Sequence, residues 1–572
     1  MFQGLSKRVV ENYRRRQIAS RATMAHSGKN GGGNQRIILW FRNDLRIHDN
    51  VIVDEAVKRI RGGQAVEVLP VFCFDARWFR QSPHGNGMLK TGDYRSQFLL
   101  ESVQNLKEKL RSVGSDVVVS MDAPEDVLPK LTGAGACVVF AQKEVTSEEV
   151  RAELAVSGSL KQVKSRLELF WGSTLYHIDD VPFEPDMSTM PSVFTPFRQK
   201  VEDRAQVRPC LDTPVAGSLP FPTNLDSSII SDVDYVPRRV EDINVVVPSG
   251  DPCLQTPQID ERAAFRLKGG EDQALDRLKY YLWESKLIEK YFEIRNGMVG
   301  SDYSTKLAPA LAHGCISPRR IYWDIKQYEK EFVANKSTYW VIFELIWRDY
   351  FKFYAMKEGN AIFDVKGPIQ KSRPWKRDSA LFEKWRTGQT GWPLVDANMR
   401  ELLATGFMSN RGRQNVASFA ALDLGLDWRM CADHFESLLV DYDPASNWGN
   451  WVAAAGLTGG RINRFNITKQ SKDYDPDGEY IRLWIDELKN VPGTKIHEPW
   501  QMSKKDQEIF GVQIGSTYPQ AIPSSTFVSS SGGNRPPSRF GPGARKPQGQ
   551  KNKRGNNRQR GTSARAFDPH DY

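Results

Sequence analysis

The chain has 572 residues, 40% hydrophobic and 26% charged, enough for two or three domains with cores of their own, which excludes a peptide-like scaffold. Its six cysteines lie far apart without a C-x-x-C pair, which argues against a disulfide or zinc framework and predicts buried free thiols in a reducing compartment. The net charge of +10 belongs to the ends, with seven Lys and Arg against Glu11 over residues 1–35 and ten against Asp568 and Asp571 over 524–572, so a basic groove in the body has to be local.

Residues 1–35 form a basic extension in which Arg14, Arg15, Arg16 and Arg21 precede a glycine-rich stretch. The composition is that of a mitochondrial presequence, with a start at Met24 or a solvated tail as the alternatives. No run approaches the roughly 18 apolar residues of a membrane span. The expectation is a soluble intracellular protein with no membrane partner, its compartment open between mitochondrion and nucleus or cytoplasm.

Over 36–171, short apolar runs at Ile37 to Phe41, Val66 to Phe74, Asp116 to Ser120 and Cys137 to Ala141 read as buried strands. Between them, Asp93 to Val113 sets Phe98, Leu99, Val103, Leu106 and Leu110 at helical spacing, with Gly114 as a stop. This alternation predicts an α/β domain with a doubly wound parallel sheet. Neither G-x-G-x-x-G nor G-x-x-x-x-G-K-[ST] is present, which disfavours a Rossmann dehydrogenase or a P-loop enzyme.

Residues 172–260, rich in Pro, Asp and Ser, read as an extended connector. Over 261–500, apolar and aromatic residues recur at helical spacing, in Gln273 to Trp283, Tyr339 to Ala355, Leu394 to Thr405 and Trp428 to Val440, so the second domain is all-α. An end segment, 501–523, follows. The Gly/Arg-rich stretch 524–572 cannot bury enough apolar area to offset chain entropy and reads as a disordered basic tail able to contact RNA or single-stranded DNA.

Chemistry concentrates between Phe407 and Trp451. Asn410-Arg411-Gly412-Arg413 opens a helix predicted to run to Gly425, and Asp427 is placed to cap the next one. That helix leads into Asp441-Tyr442-Asp443-Pro444-Ala445-Ser446-Asn447-Trp448-Gly449-Asn450-Trp451, an odd composition for a structural turn. The eight His show no H-E-x-x-H and no Cys partners, so no metal site is expected.

These residues carry a resemblance. Trp40-Phe41-Arg42-Asn43-Asp44-Leu45-Arg46, Glu344-Leu345-Ile346-Trp347-Arg348-Asp349-Tyr350, Trp392-Pro393-Leu394-Val395-Asp396-Ala397-Asn398-Met399 and Ser409-Asn410-Arg411-Gly412-Arg413 resemble the photolyase and cryptochrome family. Tyr303-Ser304-Thr305-Lys306 and Asp441-Tyr442-Asp443-Pro444 are similar to its cryptochrome-DASH branch. The resemblance covers about residues 36 to 500 in collinear order. It implies an N-terminal α/β antenna domain and a helical domain holding FAD.

By the same resemblance, Tyr291, Ser304, Thr305, Lys306 and Leu307 contact FAD, the two hydroxyls cradling its pyrophosphate, whereas Ala308 stands where the family commonly has Ser. Arg348 and Arg413 are flavin-side arginines, Arg413 pairing with Asp441. Asp443 accepts from the flavin, and Asn447 faces flavin N5. Trp451, Trp428 and Trp375 fall on the family's electron-hopping positions. Glu344 and Asn410 match residues that hydrogen-bond a pyrimidine dimer, Trp347 a stacking wall and Arg411 a DNA-backbone contact. Two residues past Trp451, where the family has an aromatic, stands Ala453. Glu148 or Glu149 falls near the carboxylate that holds the branch's folate antenna, 5,10-methenyltetrahydrofolate.

The expected function is blue-light repair of cyclobutane pyrimidine dimers in single-stranded DNA by a monomeric photolyase, electrons coming from reduced FAD. The alternative is a blue-light photoreceptor that holds RNA or single-stranded DNA with little or no repair.

Overall fold

The computed structural model describes residues 36–84, 87–133, 136–227 and 232–523. The basic extension 1–35 and the tail 524–572 lie outside them.

Five parallel strands, β1 (Arg36–Phe41), β2 (Glu67–Cys73), β3 (Val118–Ser120), β4 (Val138–Gln142) and β5 (Arg166–Phe170), form one sheet in the order β3-β2-β1-β4-β5. Ile38 pairs in register with Leu69 on one side and Val139 on the other, so β1 is central and almost fully buried. Four of these strands are the apolar runs of the sequence. β5 was not among them, because it is a half-exposed edge whose Arg166 and Glu168 interrupt the apolar pattern. The crossovers include α1 (Val51–Arg61), α2 (Asp93–Ser112) and α3 (Ser147–Gln162). Strand order reverses between β1 and β4, and such a reversal opens a crevice at the carboxyl ends of the strands.

Residues 172–260 are not wholly extended. They contain α4 (Phe194–Arg204), whose Phe194, Phe197 and Val201 are buried, and a 3-10 stretch at Val240–Val246. The helical part follows with α5 (Glu271–Lys279), α6 (Pro318–Glu331), α7 (Lys336–Glu358), α8 (Ser379–Arg386), α9 (Pro393–Thr405), α10 (Asn410–Ser418), α11 (Trp428–Leu438) and α12 (Pro444–Ala454). α7 is apolar on most of its circumference and runs through the core, as a helix must when neighbours cover it on all sides. Asn335 caps it by accepting from the amides of Ser337 and Thr338 at 2.8 and 3.0 Å. α10 gives way at Phe419–Leu424 to a wider π turn ended by Gly425 in the left-handed region, φ 70°.

Buried polar anchors lock the sheet to the helices. Glu271 accepts from the Ile47 amide at 2.7 Å and contacts His48 Nδ1 at 2.6 Å. Arg319 grips Asp49 with two nitrogens. Asp349 accepts from the amides of Leu175 and Tyr176 at 2.9 and 2.8 Å, and burial pushes its carboxyl up to about 7. Accordingly the described chain to Ile522 is one compact unit. Cys73, Cys137, Cys315 and Cys431 are buried free thiols, as expected, whereas Cys253 is exposed. Among the described residues no helix is long and apolar enough to cross a membrane, and no His, Cys, Asp or Glu cluster is placed to hold a metal.

Candidate functional site

The short turn carrying Ser304 and Thr305 is held from behind by Arg277, which donates to the carbonyls of Ser301, Ser304 and Thr305 at 2.9, 3.2 and 3.0 Å. Pinning the carbonyls to one cation fixes how the turn is presented. Lys306 follows in the left-handed region, φ 58°, which costs a residue with a Cβ roughly 1–2 kcal/mol. Strain of that kind persists where surrounding structure imposes it. The Lys306 ammonium is buried with no hydrogen-bond partner, 3.2 Å from the Tyr303 ring centroid and 4.5 Å from that of Phe407. Burial drives its pKa well below the lysine range. Leu307 and Tyr291 are also buried, and the helix Ala308–Ala312 starts without a side-chain cap.

The opposite wall comes from α10 to α12. Ser409 caps α10 through the Gly412 amide at 3.0 Å. Gly412 is obligatory for packing, because a Cβ there would lie 1.8 Å from Asn398 Oδ1 on α9. This close approach sets Arg413, which donates to the Met408 carbonyl at 2.9 Å and to Asp441 Oδ2 at 2.8 Å. The predicted Arg413–Asp441 pair is therefore present, and Asp441 Oδ1 is left buried without a partner. Arg413 and Lys306 approach the same Phe407 ring, so the turn and this wall face one another.

Asp443 caps α12 by accepting from the Ser446 amide at 2.7 Å. Burial alone would raise its carboxyl, but Lys352, Arg348 and that amide outweigh burial and hold it below its ordinary value. Arg348 is braced by the carbonyls of Ser173 and Leu311. Asn447 donates to the Ala432 carbonyl at 3.1 Å, which fixes the plane of its amide.

Of the three tryptophans, Trp375 and Trp428 donate to the same Val365 carbonyl at 3.2 and 3.4 Å. Trp451 is buried against Phe435 and Trp385, ring centroids 5.1 and 6.1 Å apart. Trp428 is fully buried and Trp375 half-buried.

On the expected lesion side, Glu344 keeps about a third of its side chain exposed, while its protein surroundings push the carboxyl up against the opposing Arg295. Trp347 has one face covered by Phe194, ring centroids 3.6 Å apart and 9° from parallel. Asn410 is exposed at the start of α10 and Ala453 is half-buried. Arg411 departs from a surface phosphate contact: it is buried, donates to Gln414 at 2.9 Å and Asn296 at 2.9 Å, and lies over Tyr474. Its guanidinium is engaged within the protein, because α10 turns it inward.

Beside this cradle, with Tyr442, Pro444 and Trp448 in its lining, a cavity of about 540 Å³ opens at the carboxyl ends of β1 and β2, the N-terminus of α3 and one face of α11. Glu148 and Glu149 both line it. Glu148 is surrounded by Lys90, Arg80 and Arg151, which override burial and lower its carboxyl. Glu149 accepts from Thr146 and is pushed up by burial. Reading the sequence missed Asp433 and Glu436, which reach the cavity from α11, and Arg95 from α2. Burial pushes Asp433 up to about 6 and Glu436 to about 7. Asp433 Oδ1 and Arg95 Nη1 are buried without partners. Their only signal in the sequence is the i, i+3 spacing of Asp433 and Glu436 on a helix otherwise apolar on that side.

Buried polar atoms without partners are uncommon in folded proteins. Two of them, Lys306 Nζ and Asp441 Oδ1, lie in the cradle and two, Asp433 Oδ1 and Arg95 Nη1, at the cavity, where the resemblance puts a phosphate-bearing flavin and a pterin, and both donor sets suit those groups. The cradle offers an ammonium, two hydroxyls and an arginine to an anionic cofactor. The cavity offers buried carboxyls and a guanidinium to a ring with N–H and carbonyl edges.

Comparison with known proteins identifies the family of both parts of the chain. Residues 37–217 match the family model described as DNA photolyase, and residues 340–527 the FAD binding domain of DNA photolyase. A protein of Ostreococcus tauri named cryptochrome DASH, chloroplastic/mitochondrial, is 49% identical over 525 residues, 87% of this chain and 92% of its own. A Xenopus laevis cryptochrome DASH is 46% identical, over 85% of this chain and 89% of its own. The crystal structure of a Synechocystis cryptochrome superposes with a TM-score of 0.78 at 43% identity, covering 87% of this chain and 99% of that one.

Proposed function

The chain belongs to the cryptochrome DASH family, as an FAD-binding, photolyase-like protein, and from that premise we propose that it repairs cyclobutane pyrimidine dimers in single-stranded DNA under blue light. The observation that carries the reading is the cradle of Lys306, Arg413, Asp441 and Asn447, with an unpartnered ammonium and an unpartnered carboxylate oxygen buried in it. FAD bound there supplies the one-electron, light-absorbing chemistry. Ser304, Thr305 and Lys306 would hold its phosphates, Arg413 and Asp441 would orient its ring, Asp443 would accept from it, and Asn447 would offer it a neutral amide. Tyr291, Leu307 and Arg348 complete the site. Trp451, Trp428 and Trp375 lead from the cofactor to the surface, each able to give up one electron.

Glu344, whose carboxyl burial pushes upward against the opposing Arg295, and Asn410 hydrogen-bond the dimer, while Trp347 stacks on it from a plane fixed by Phe194. A base inside a duplex cannot reach such a pocket without extrusion, which costs least in single strands. The cavity at the sheet edge takes 5,10-methenyltetrahydrofolate as antenna, with Glu149, Asp433, Glu436 and Arg95 as its polar contacts. The protein acts as a monomer. Its basic tail reaches RNA or single-stranded DNA, and the name of the Ostreococcus relative, chloroplastic/mitochondrial, favours an organellar destination over a nuclear one.

Illumination of the reduced protein with dimer-containing oligothymidine tests this: the dimer content falls with light dose, and unchanged dimer at saturating protein rejects repair. A second reading, a blue-light photoreceptor with nucleic-acid binding and little repair, is favoured by Ala453 in the place of an aromatic and by the inward-turned Arg411.

A further inference from the structure

Trp428, which shares the Val365 carbonyl with Trp375, also has an aromatic neighbour. The ring of Trp448, on α12, lies edge-to-face against Trp428, with centroids 5.8 Å apart at 76°. In the other direction Trp448 packs edge-to-face on Phe363 at 5.0 Å and donates from Nε1 to the Tyr442 hydroxyl at 3.3 Å. Trp448, Tyr442 and Phe363 all line the cavity at the sheet edge. An unbroken line of aromatic side chains therefore runs from Trp428 to that cavity. By contrast, Trp385, which touches Trp451, is sealed in by Phe382, His434 and Phe435 and leads only into the core.

We propose that Trp448 is a relay residue that gives the oxidising equivalent on Trp428 a second exit, into the sheet-edge cavity, beside the exit through Trp375. The proposal rests on the reading that bound FAD is photoreduced through Trp451 and Trp428. Once Trp428 has given one electron toward Trp451, it can be refilled by one electron from either neighbour. Transfer from Trp375 leaves the one-electron hole on a half-exposed ring. Transfer from Trp448 restores neutral Trp428 and leaves Trp448 as a radical cation, with no bond formed or broken. The Nε1 proton stays, because the Tyr442 hydroxyl that accepts it is a poor base. In protein whose cavity holds no folate, a small one-electron reductant of the ascorbate or thiol class entering it then returns one electron to Trp448.

The test uses full-length, flavin-loaded protein labelled with 5-fluorotryptophan, in which light-induced nuclear polarisation of the 19F resonances reports which indoles carry unpaired spin. The expected result is a polarised Trp448 resonance, identified by its loss in Trp448→Phe. It persists in Trp375→Phe while the Trp375 signal is lost. The second variant leaves Trp448 untouched, so the result does not depend on how well Trp448→Phe folds. Polarisation at Trp428 and Trp375 with none at Trp448, in both the parent and Trp375→Phe, overturns the branch and leaves the photoreduction reading standing. Polarisation at no tryptophan overturns the photoreduction reading, and the branch with it.

Discussion

Arg413 donates to Asp441 at 2.8 Å, and the other oxygen of that buried carboxylate has no partner within the protein. The pair thus satisfies the guanidinium while leaving one acceptor for a ligand. Asp441→Ala should lower the flavin-to-protein absorbance ratio and destabilise the protein by roughly 1–3 kcal/mol, since it strands a charge that is only partly exposed. Urea unfolding with the flavin ratio measured alongside checks both, and full flavin content in the variant removes Asp441 from the site.

Lys306 predicts a divergence between stability and binding. Its amine is buried without a hydrogen bond, so Lys306→Met should leave the flavin-free protein as stable as the parent or more so, because a buried polar group whose charged form burial already disfavours gives way to an apolar side chain. Flavin affinity should fall by roughly tenfold to a hundredfold, the worth of one charge-assisted contact of about 1.5–3 kcal/mol. Thermal melts of the flavin-free protein and fluorescence titration with FAD separate the two. A loss of both together would mean that the lysine is structural.

The cavity carboxyls predict a pH dependence. Burial is the main cause that raises Glu436 to about 7, with Lys90 and Arg95 opposing. A carboxyl of about 4.3 in the unfolded chain then binds more protons when folded. Its favourable contribution is complete below about pH 4.3 and is lost as pH rises through about 7. Asp433, raised to about 6, acts in the lower part of the same window. Melting temperatures from pH 5 to 8 should decline more steeply for the parent than for Glu436→Gln; parallel curves would contradict the assignment.

Ala453 leaves the proposed dimer substrate without a second aromatic neighbour, so Ala453→Tyr should tighten binding of dimer-containing oligothymidine by about 1–3 kcal/mol, the usual worth of one base–aromatic stack. Undamaged oligothymidine should gain less. Equal gains on both would show that position 453 faces the strand and not the dimer.

Much of this molecule is set by local pattern. Four strands are apolar runs, α2 and α7 carry helical periodicity, and Asp427 caps α11 by accepting from the Arg429 amide at 3.2 Å. The Arg413–Asp441 pair was also legible, because both residues sit in motifs whose spacing the resemblance fixes. β5 was not, since an edge strand need not be apolar. Nor was α4 legible in a stretch rich in Pro and Asp, although its Phe194 orients Trp347.

What only the tertiary structure decided is which groups converge from distant segments. Arg411 turns inward because Asn296 and Tyr474, more than fifty residues away on either side, offer it a donor's partner and a ring. Asp433, Glu436 and Arg95 share a cavity with Glu149 because α2 and α11 pack over the sheet edge, the Gly92 amide bonding the Ser437 carbonyl at 2.9 Å. Trp448 reaches both Trp428 and that cavity only because α11 and α12 pack together. Sequence determines periodicity and capping, which act over a few residues. Burial, desolvation and ring contact depend on what the chain brings back from far away.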